Sequence, residues 1–333
     1  MQIVLLLLSL VIILAGAEIF TNGVEWLGKK LKLSEGAVGS ILAAVGTALP
    51  ETMVPVMAIL FGTGEDAEHI GIGAILGAPF MLSTLAMGIT GIAAIGFKYK
   101  GRRRTHMLID PVVVKRDLGF FIIVYTVAIL AAFSPKGVHF LFVIGLVAAY
   151  IVYAVLTVRH NRDTGGEHEN PAPLRFSPKA ENPSLRMVLI QVLAALALII
   201  LGADLFVEEI QNISTAMGIP AFVLSIIIAP IATELPEKFN SIIWVKHGKD
   251  TLAMGNITGA MVFQSSLIPA LGIALTSWTL TPLAILNACI ALTSSVILFC
   301  VLHFAKKLPP WVLVCVISFY LFFLVVVLTG RVS

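Results

Sequence analysis

Two short runs place carboxylates inside long apolar stretches: Thr47-Ala48-Leu49-Pro50-Glu51 and Thr233-Glu234-Leu235-Pro236-Glu237. An ionised side chain at the centre of a bilayer costs ~3 kcal/mol or more even on the lowest scale, so such residues mark ion pathways or binding sites. Proline inside a helix withdraws the N–H from the carbonyl four residues earlier. Pro50 would release the carbonyl of Gly46 and Pro236 that of Ala232, and in lipid these carbonyls must find another partner. Glu51 and Glu237, the hydroxyls of Thr47 and Thr233, and the loosened carbonyls form a set of hard oxygen ligands. Ca²⁺ takes six to eight such oxygens and tolerates irregular geometry. The pattern therefore points to a divalent-cation site that Na⁺ could share.

The elements holding these residues follow from composition. The 333-residue chain is 58% hydrophobic and 12% charged, with a mean hydropathy of +0.99. That balance excludes a soluble enzyme or a nucleic-acid-binding domain and fits an all-α, polytopic membrane protein. Apolar runs long enough for a bilayer give ten spans, at about 3–26, 35–62, 70–97, 117–134, 138–158, 187–210, 220–245, 252–276, 280–304 and 310–330. Of the 22 Lys and Arg, 19 fall in alternate loops, at 29–32, 98–116, 159–186, 246–249 and 306–307. The positive-inside rule puts those loops in the cytoplasm and both termini outside, as for a multi-pass protein of a prokaryotic inner membrane. The first apolar run lacks a basic leader and is expected to be a retained helix. Cys289, Cys300 and Cys315 lie in apolar stretches and are expected to be small core residues.

The chain repeats itself. A shift of 186 positions aligns Gly16-Ala17-Glu18 with Gly202-Ala203-Asp204 and carries Thr47, Pro50 and Glu51 onto Thr233, Pro236 and Glu237. After a four-residue difference, a shift of 182 carries Gly73, Ile75, Gly77 and Ser83 onto Gly255, Ile257, Gly259 and Ser265. The expected organisation is a first five-helix half at 1–158, a polar Pro-rich linker at 159–186 and a second half at 187–333. Five is odd, so the halves are inverted, an architecture that secondary transporters use to build a midplane site. Glu18 and Asp204 occupy matched positions nearer the span ends, where gating, a place on the ion pathway and interfacial anchoring are all open. Ser83, Ser265, Asn256 and Gln264 are candidate modulators of the site. The small-residue stripes at 73–78 and 255–260 would let helix backbones approach closely.

These motifs resemble those of the sodium/calcium exchanger superfamily of calcium:cation antiporters, over nearly the whole chain. The family pattern Gly-Thr-Ser-Leu-Pro-Glu appears as Gly46-Thr47-Ala48-Leu49-Pro50-Glu51 and as Ala232-Thr233-Glu234-Leu235-Pro236-Glu237. The resemblance implies that Glu51 and Glu237 are central Ca²⁺ ligands, that Thr47 and Thr233 add oxygen, and that the first and sixth helices slide in alternating access. It implies a transporter with inorganic cations as substrates, no resident cofactor, and a monomer that suffices. The motif serines are replaced by Ala48 and Glu234. Leu82 and Gln264 stand where the family carries polar ligands five residues beyond Gly77 and Gly259. Exchange of Ca²⁺ for Na⁺ is the leading expectation, and exchange for H⁺ at the same site the alternative. Glu234 and Lys238 are four apart on one helix, in the order that favours an ion pair. Lys238 would then act as a tethered cation where relatives bind a monovalent ion. An intramembrane enzyme lacks its motifs here: there is no paired catalytic Asp and no His-Glu-x-x-His. A channel is less suited to inverted repeats with broken helices.

Overall fold

The computed structural model describes residues 2–30, 49–62, 65–98, 103–163 and 172–329, and these contain helices and connecting turns but no strand. In chain order they form α1 (Gln2–Lys30), α2 (Leu49–Phe61) and α3 (Glu65–Met81). A π-helical turn (Leu82–Ala86) then leads into α4 (Met87–Gly96). There follow α5 (Pro111–Ala131), α6 (His139–Asp163), α7 (Leu185–Met217), α8 (Ala221–Lys246), α9 (Asp250–Leu275) and α10 (Pro282–Ala305). The last two are α11 (Pro310–Cys315) and α12 (Ile317–Leu328).

Seven helical stretches among the described residues are long and apolar enough to cross a membrane. Three of the ten expected spans are not among them. The span near 35–62 lies partly outside the described residues, leaving the short apolar helix that holds Glu51. In α5, Lys115, Arg116 and Asp117 occupy the first two turns and interrupt the apolar run. In α8 the uninterrupted apolar part is Ala221–Ile231, before the charged motif.

Local chemistry sets several ends. Asp110 caps α5 by accepting from the Val112 N–H at 2.8 Å, with Pro111 in the first turn. Thr281 caps α10 in the same way, ahead of Pro282. Gly218 ends α7 in the left-handed region at φ +64°, where a side chain would be strained.

Helices α1 and α7 run antiparallel and close together. A Cβ at Gly16, Gly23 or Gly202 would sit 2.9, 2.8 and 2.8 Å from Ile199, Val192 and Ile13. The expected close approach at 73–78 is present: a Cβ on Gly73 would meet the Phe222 carbonyl at 2.9 Å, and one on Gly77 would overlap that of Ile226. Ser225 adds a hydrogen bond to the Ile70 carbonyl at 2.7 Å, so α3 and α8 are joined at backbone level.

The described residues before α7 pack against α1 and α7. Leu174 is fully buried against Trp26 and Val188, and Ala172 accepts from Asn22 and Trp26 at 3.1 and 2.8 Å. The cysteines correct the expectation of core positions. Cys289 and Cys315 are exposed and Cys300 is half-buried, on outer helix faces where the chain also shows large apolar side chains. Those faces are the ones a bilayer would cover.

Candidate functional site

Glu51 stands in the first turn of the described part of α2, with 7% of its surface exposed. Pro55, inside the same helix, offers no N–H to the Glu51 carbonyl four residues earlier. The carboxylate borders a small cavity lined by Glu51 and Val54 of α2, Ala74 and Ala78 of α3, and Ala229, Pro230 and Thr233 of α8. Its size suits one water or one bare ion.

Each helix contributes for a local reason. The glycine stripe on α3 brings α8 near, and Ala74 and Ala78 form the α3 side of the cavity wall. Pro230 removes the N–H that would have bonded to the Ile226 carbonyl, the group packed on Gly77. Thr233 is 2% exposed and its hydroxyl donates to the Ala229 carbonyl at 3.0 Å, leaving its lone pairs for another group. Two of the seven lining residues, Glu51 and Thr233, bear side-chain oxygen. They come from the two different Pro-Glu motifs, so the fold brings the matched sequences to one place.

Other expected residues are placed as follows. Gly46 and Thr47 lie outside the described residues. Ala232, Glu234, Glu237 and Lys238 belong to helix α8, but their side chains lie outside the described residues. Glu237 is one turn beyond Thr233 along the stripe that begins at Ala229. Ser83 and Ser265 are fully buried and donate to carbonyls of their own helices, Phe80 at 3.1 Å and Val262 at 3.3 Å. Gln264 is 2% exposed in α9 and Asn256 is half-buried there. None of these four lines the Glu51 cavity. Glu18 and Asp204 are both exposed, and Glu18 pairs with Arg175 of the linker. Glu68 of α3 accepts from the Ser277 N–H and hydroxyl at 2.9 and 2.6 Å.

Sequence reasoning missed Pro55 and Pro230, whose signal was a second proline within five residues or so of each Pro-Glu pair. It also missed Asp117, an acid at the edge of an expected span.

With this geometry in view, a family model described as "Sodium/calcium exchanger protein" matches residues 1–159 and 187–329. "Sodium/calcium exchanger MaX1" of Methanosarcina acetivorans is 24% identical, with 97% of each chain covered. "Putative antiporter CaxA" of Alkalimonas amylolytica is 25% identical over 81% of this chain and 79% of its own. Among solved structures, the H⁺/Ca²⁺ exchanger CAX superposes with a TM-score of 0.71 at 17% identity, covering 98% of this chain and 82% of that one. The sodium-calcium exchanger NCX_Mj superposes at 0.57 with 20% identity, covering 96% and 97%. At such identities the likeness to solved structures speaks for the fold alone.

Proposed function

The chain belongs to the sodium/calcium exchanger protein family, and we propose that it is a secondary antiporter exchanging Ca²⁺, or a similar divalent cation, for a coupling cation by alternating access. In this reading the ten spans form two inverted halves, at 1–158 and 187–333, joined by the 159–186 linker, with both termini outside. The central ligands are Glu51 and Glu237, with Thr47, Thr233 and the carbonyls of Gly46 and Ala232 completing the oxygen set. The observation that carries it is that buried Glu51 and buried Thr233, from the two matched motifs, line one small cavity, where an acid inside the membrane marks an ion site.

The coupling ion is Na⁺ by family precedent. One observation favours H⁺ instead: the α3 wall of the cavity is Ala74 and Ala78, which offer no side-chain oxygen to a Na⁺. A carboxylate can exchange Ca²⁺ for protons with no further ligand. Glu234 and Lys238 supply a second departure, and Lys238 serves as a fixed cation beside the site, balanced by Glu234.

The test is ⁴⁵Ca²⁺ uptake into proteoliposomes under separately imposed Na⁺ and H⁺ gradients, with Glu51→Gln and Glu237→Gln beside wild type. Uptake driven by either gradient, and lost in both variants, is the expected result. Wild-type uptake in folded Glu51→Gln and Glu237→Gln protein would overturn the site. Uptake that ignores both gradients would indicate a channel.

A further inference from the structure

Asp117 lies in the second turn of α5 with 1% of its surface exposed, and it does not line the Glu51 cavity. One carboxylate oxygen accepts from Arg116 Nε and Nη2 at 3.1 and 2.9 Å. The other accepts from the Thr258 hydroxyl of α9 at 2.7 Å. The Tyr153 hydroxyl of α6 reaches the same carboxylate. The Arg116 guanidinium in turn lies over the Tyr153 ring, 5.4 Å from its centre. Three helices thus meet at one buried ionic cluster inside apolar packing.

A buried ion pair adds little net stability, because desolvation offsets most of the Coulomb gain; its best-attested use is to fix register. Here the group that is held is Thr258, in the middle of the second Gly-x-Ile-x-Gly-Ala stripe. At about 100° per residue, Asn256 and Ala260 stand on the opposite side of α9 from Thr258, with Gln264 one turn beyond Ala260. The hydroxyl therefore sets which way that face points. A Cβ at the neighbouring Gly259 would meet only the Tyr153 hydroxyl, at an ordinary contact distance of 3.4 Å.

We propose that Asp117 is a positioning residue for ion exchange: by holding Thr258 it fixes the rotation of α9 and so presents Asn256, Ala260 and Gln264 to the ion pathway. The inference rests on the sequence reading of Asn256 and Gln264 as modulators of the cation site rather than part of the cavity's lining. An acid anchored from behind the helix can do this without touching the ion. A hydrophobic contact would not, because apolar side chains slide over one another where a charge-assisted hydrogen bond has a fixed direction.

The test uses the full-length protein in liposomes, in a background where Cys289, Cys300 and Cys315 are replaced by Ala. Thr258→Val removes the hydroxyl at constant shape, Thr258→Ser keeps it, and Asp117→Asn removes the charge. Two quantities are read: the Ca²⁺ dependence of uptake, and the rate at which a membrane-permeant maleimide labels an Ala260→Cys variant. Thr258→Val and Asp117→Asn are expected to raise KM for Ca²⁺ roughly tenfold with the maximal rate retained. Both should also change the Cys labelling rate several-fold, and Thr258→Ser should leave both quantities as in wild type. Folded Thr258→Val protein with unchanged KM and unchanged labelling would overturn the proposal, even if its thermal stability fell. Should wild-type liposomes carry no Ca²⁺ at all, the transport reading fails, whereas the labelling still decides the role of Asp117.

Discussion

Gln191 of α7 donates its side-chain amide to Asn22 of α1 at 3.0 Å, and the two side chains together hold the backbone of the linker. Gln191 accepts from the Phe176 N–H at 2.8 Å and Asn22 from that of Arg175 at 3.1 Å, while Gln191 also donates to the Ile19 carbonyl at 2.9 Å. Both side chains are buried, so each bond lost leaves a polar group without water.

Gln191→Leu is therefore expected to release the 172–176 segment. Stability should fall by about 1–3 kcal/mol, the cost of stranding buried donors and acceptors. Hydrogen exchange at the amides of Arg175 and Phe176 should quicken in the same variant, while that of the α3–α8 interface stays as in wild type. Unchanged exchange at those two amides would contradict the assignment.

Gly77→Ala tests the close contact of α3 and α8. Its new methyl would overlap the Ile226 carbonyl, a backbone group that cannot turn aside. Overpacking of this kind costs about 1–3 kcal/mol. A lowered Tm in detergent is expected, with Gly137→Ala as the control, because nothing lies within 4 Å of a Cβ there.

Arg104 and Asp250 form an ion pair at 2.6 Å with 3% and 0% of their side chains exposed, and Asp250 also accepts from the Leu108 N–H at 2.8 Å. Arg104→Ala would strand a buried carboxylate and is expected to cost about 3–5 kcal/mol. Arg104→Ala with Asp250→Ala should recover much of that loss. A double variant no better than the single one would show that the pair is not coupled.

Lys238→Ala bears on the fixed-cation reading. The expected outcome is a change in the number of coupling charges moved per Ca²⁺, measured from the reversal potential of uptake, with a gain of Na⁺ dependence if the ammonium had occupied a Na⁺ position. Unaltered stoichiometry and ion dependence would remove Lys238 from the mechanism.

Much of the architecture was legible because lipid leaves a chain few options. Backbone groups in hydrocarbon must be satisfied within helices, so apolar runs announce themselves and charged stretches bound them. The glycines at 73 and 77 could be read as a packing stripe because only small residues allow that approach. The cysteines could not be placed: an apolar helix facing lipid has the same composition as one facing the core, and Cys289 and Cys315 turned outward. The contact of Glu68 with Ser277 could not be read either, because its partner lies more than two hundred residues away.

By itself the sequence determined a helical membrane protein, a repeated Pro-Glu motif and membership of an exchanger family. The first two follow from composition, spacing and local backbone chemistry, and the third from the resemblance of the two motifs to those of the family. The tertiary structure alone decided that Glu51 and Thr233 share one cavity with alanines on its α3 wall, that the linker is held by Asn22 and Gln191, and that Asp117 grips Thr258. Each of those depends on which faces of separate helices meet. That is set by side-chain packing between distant segments, and no periodicity along the chain encodes it.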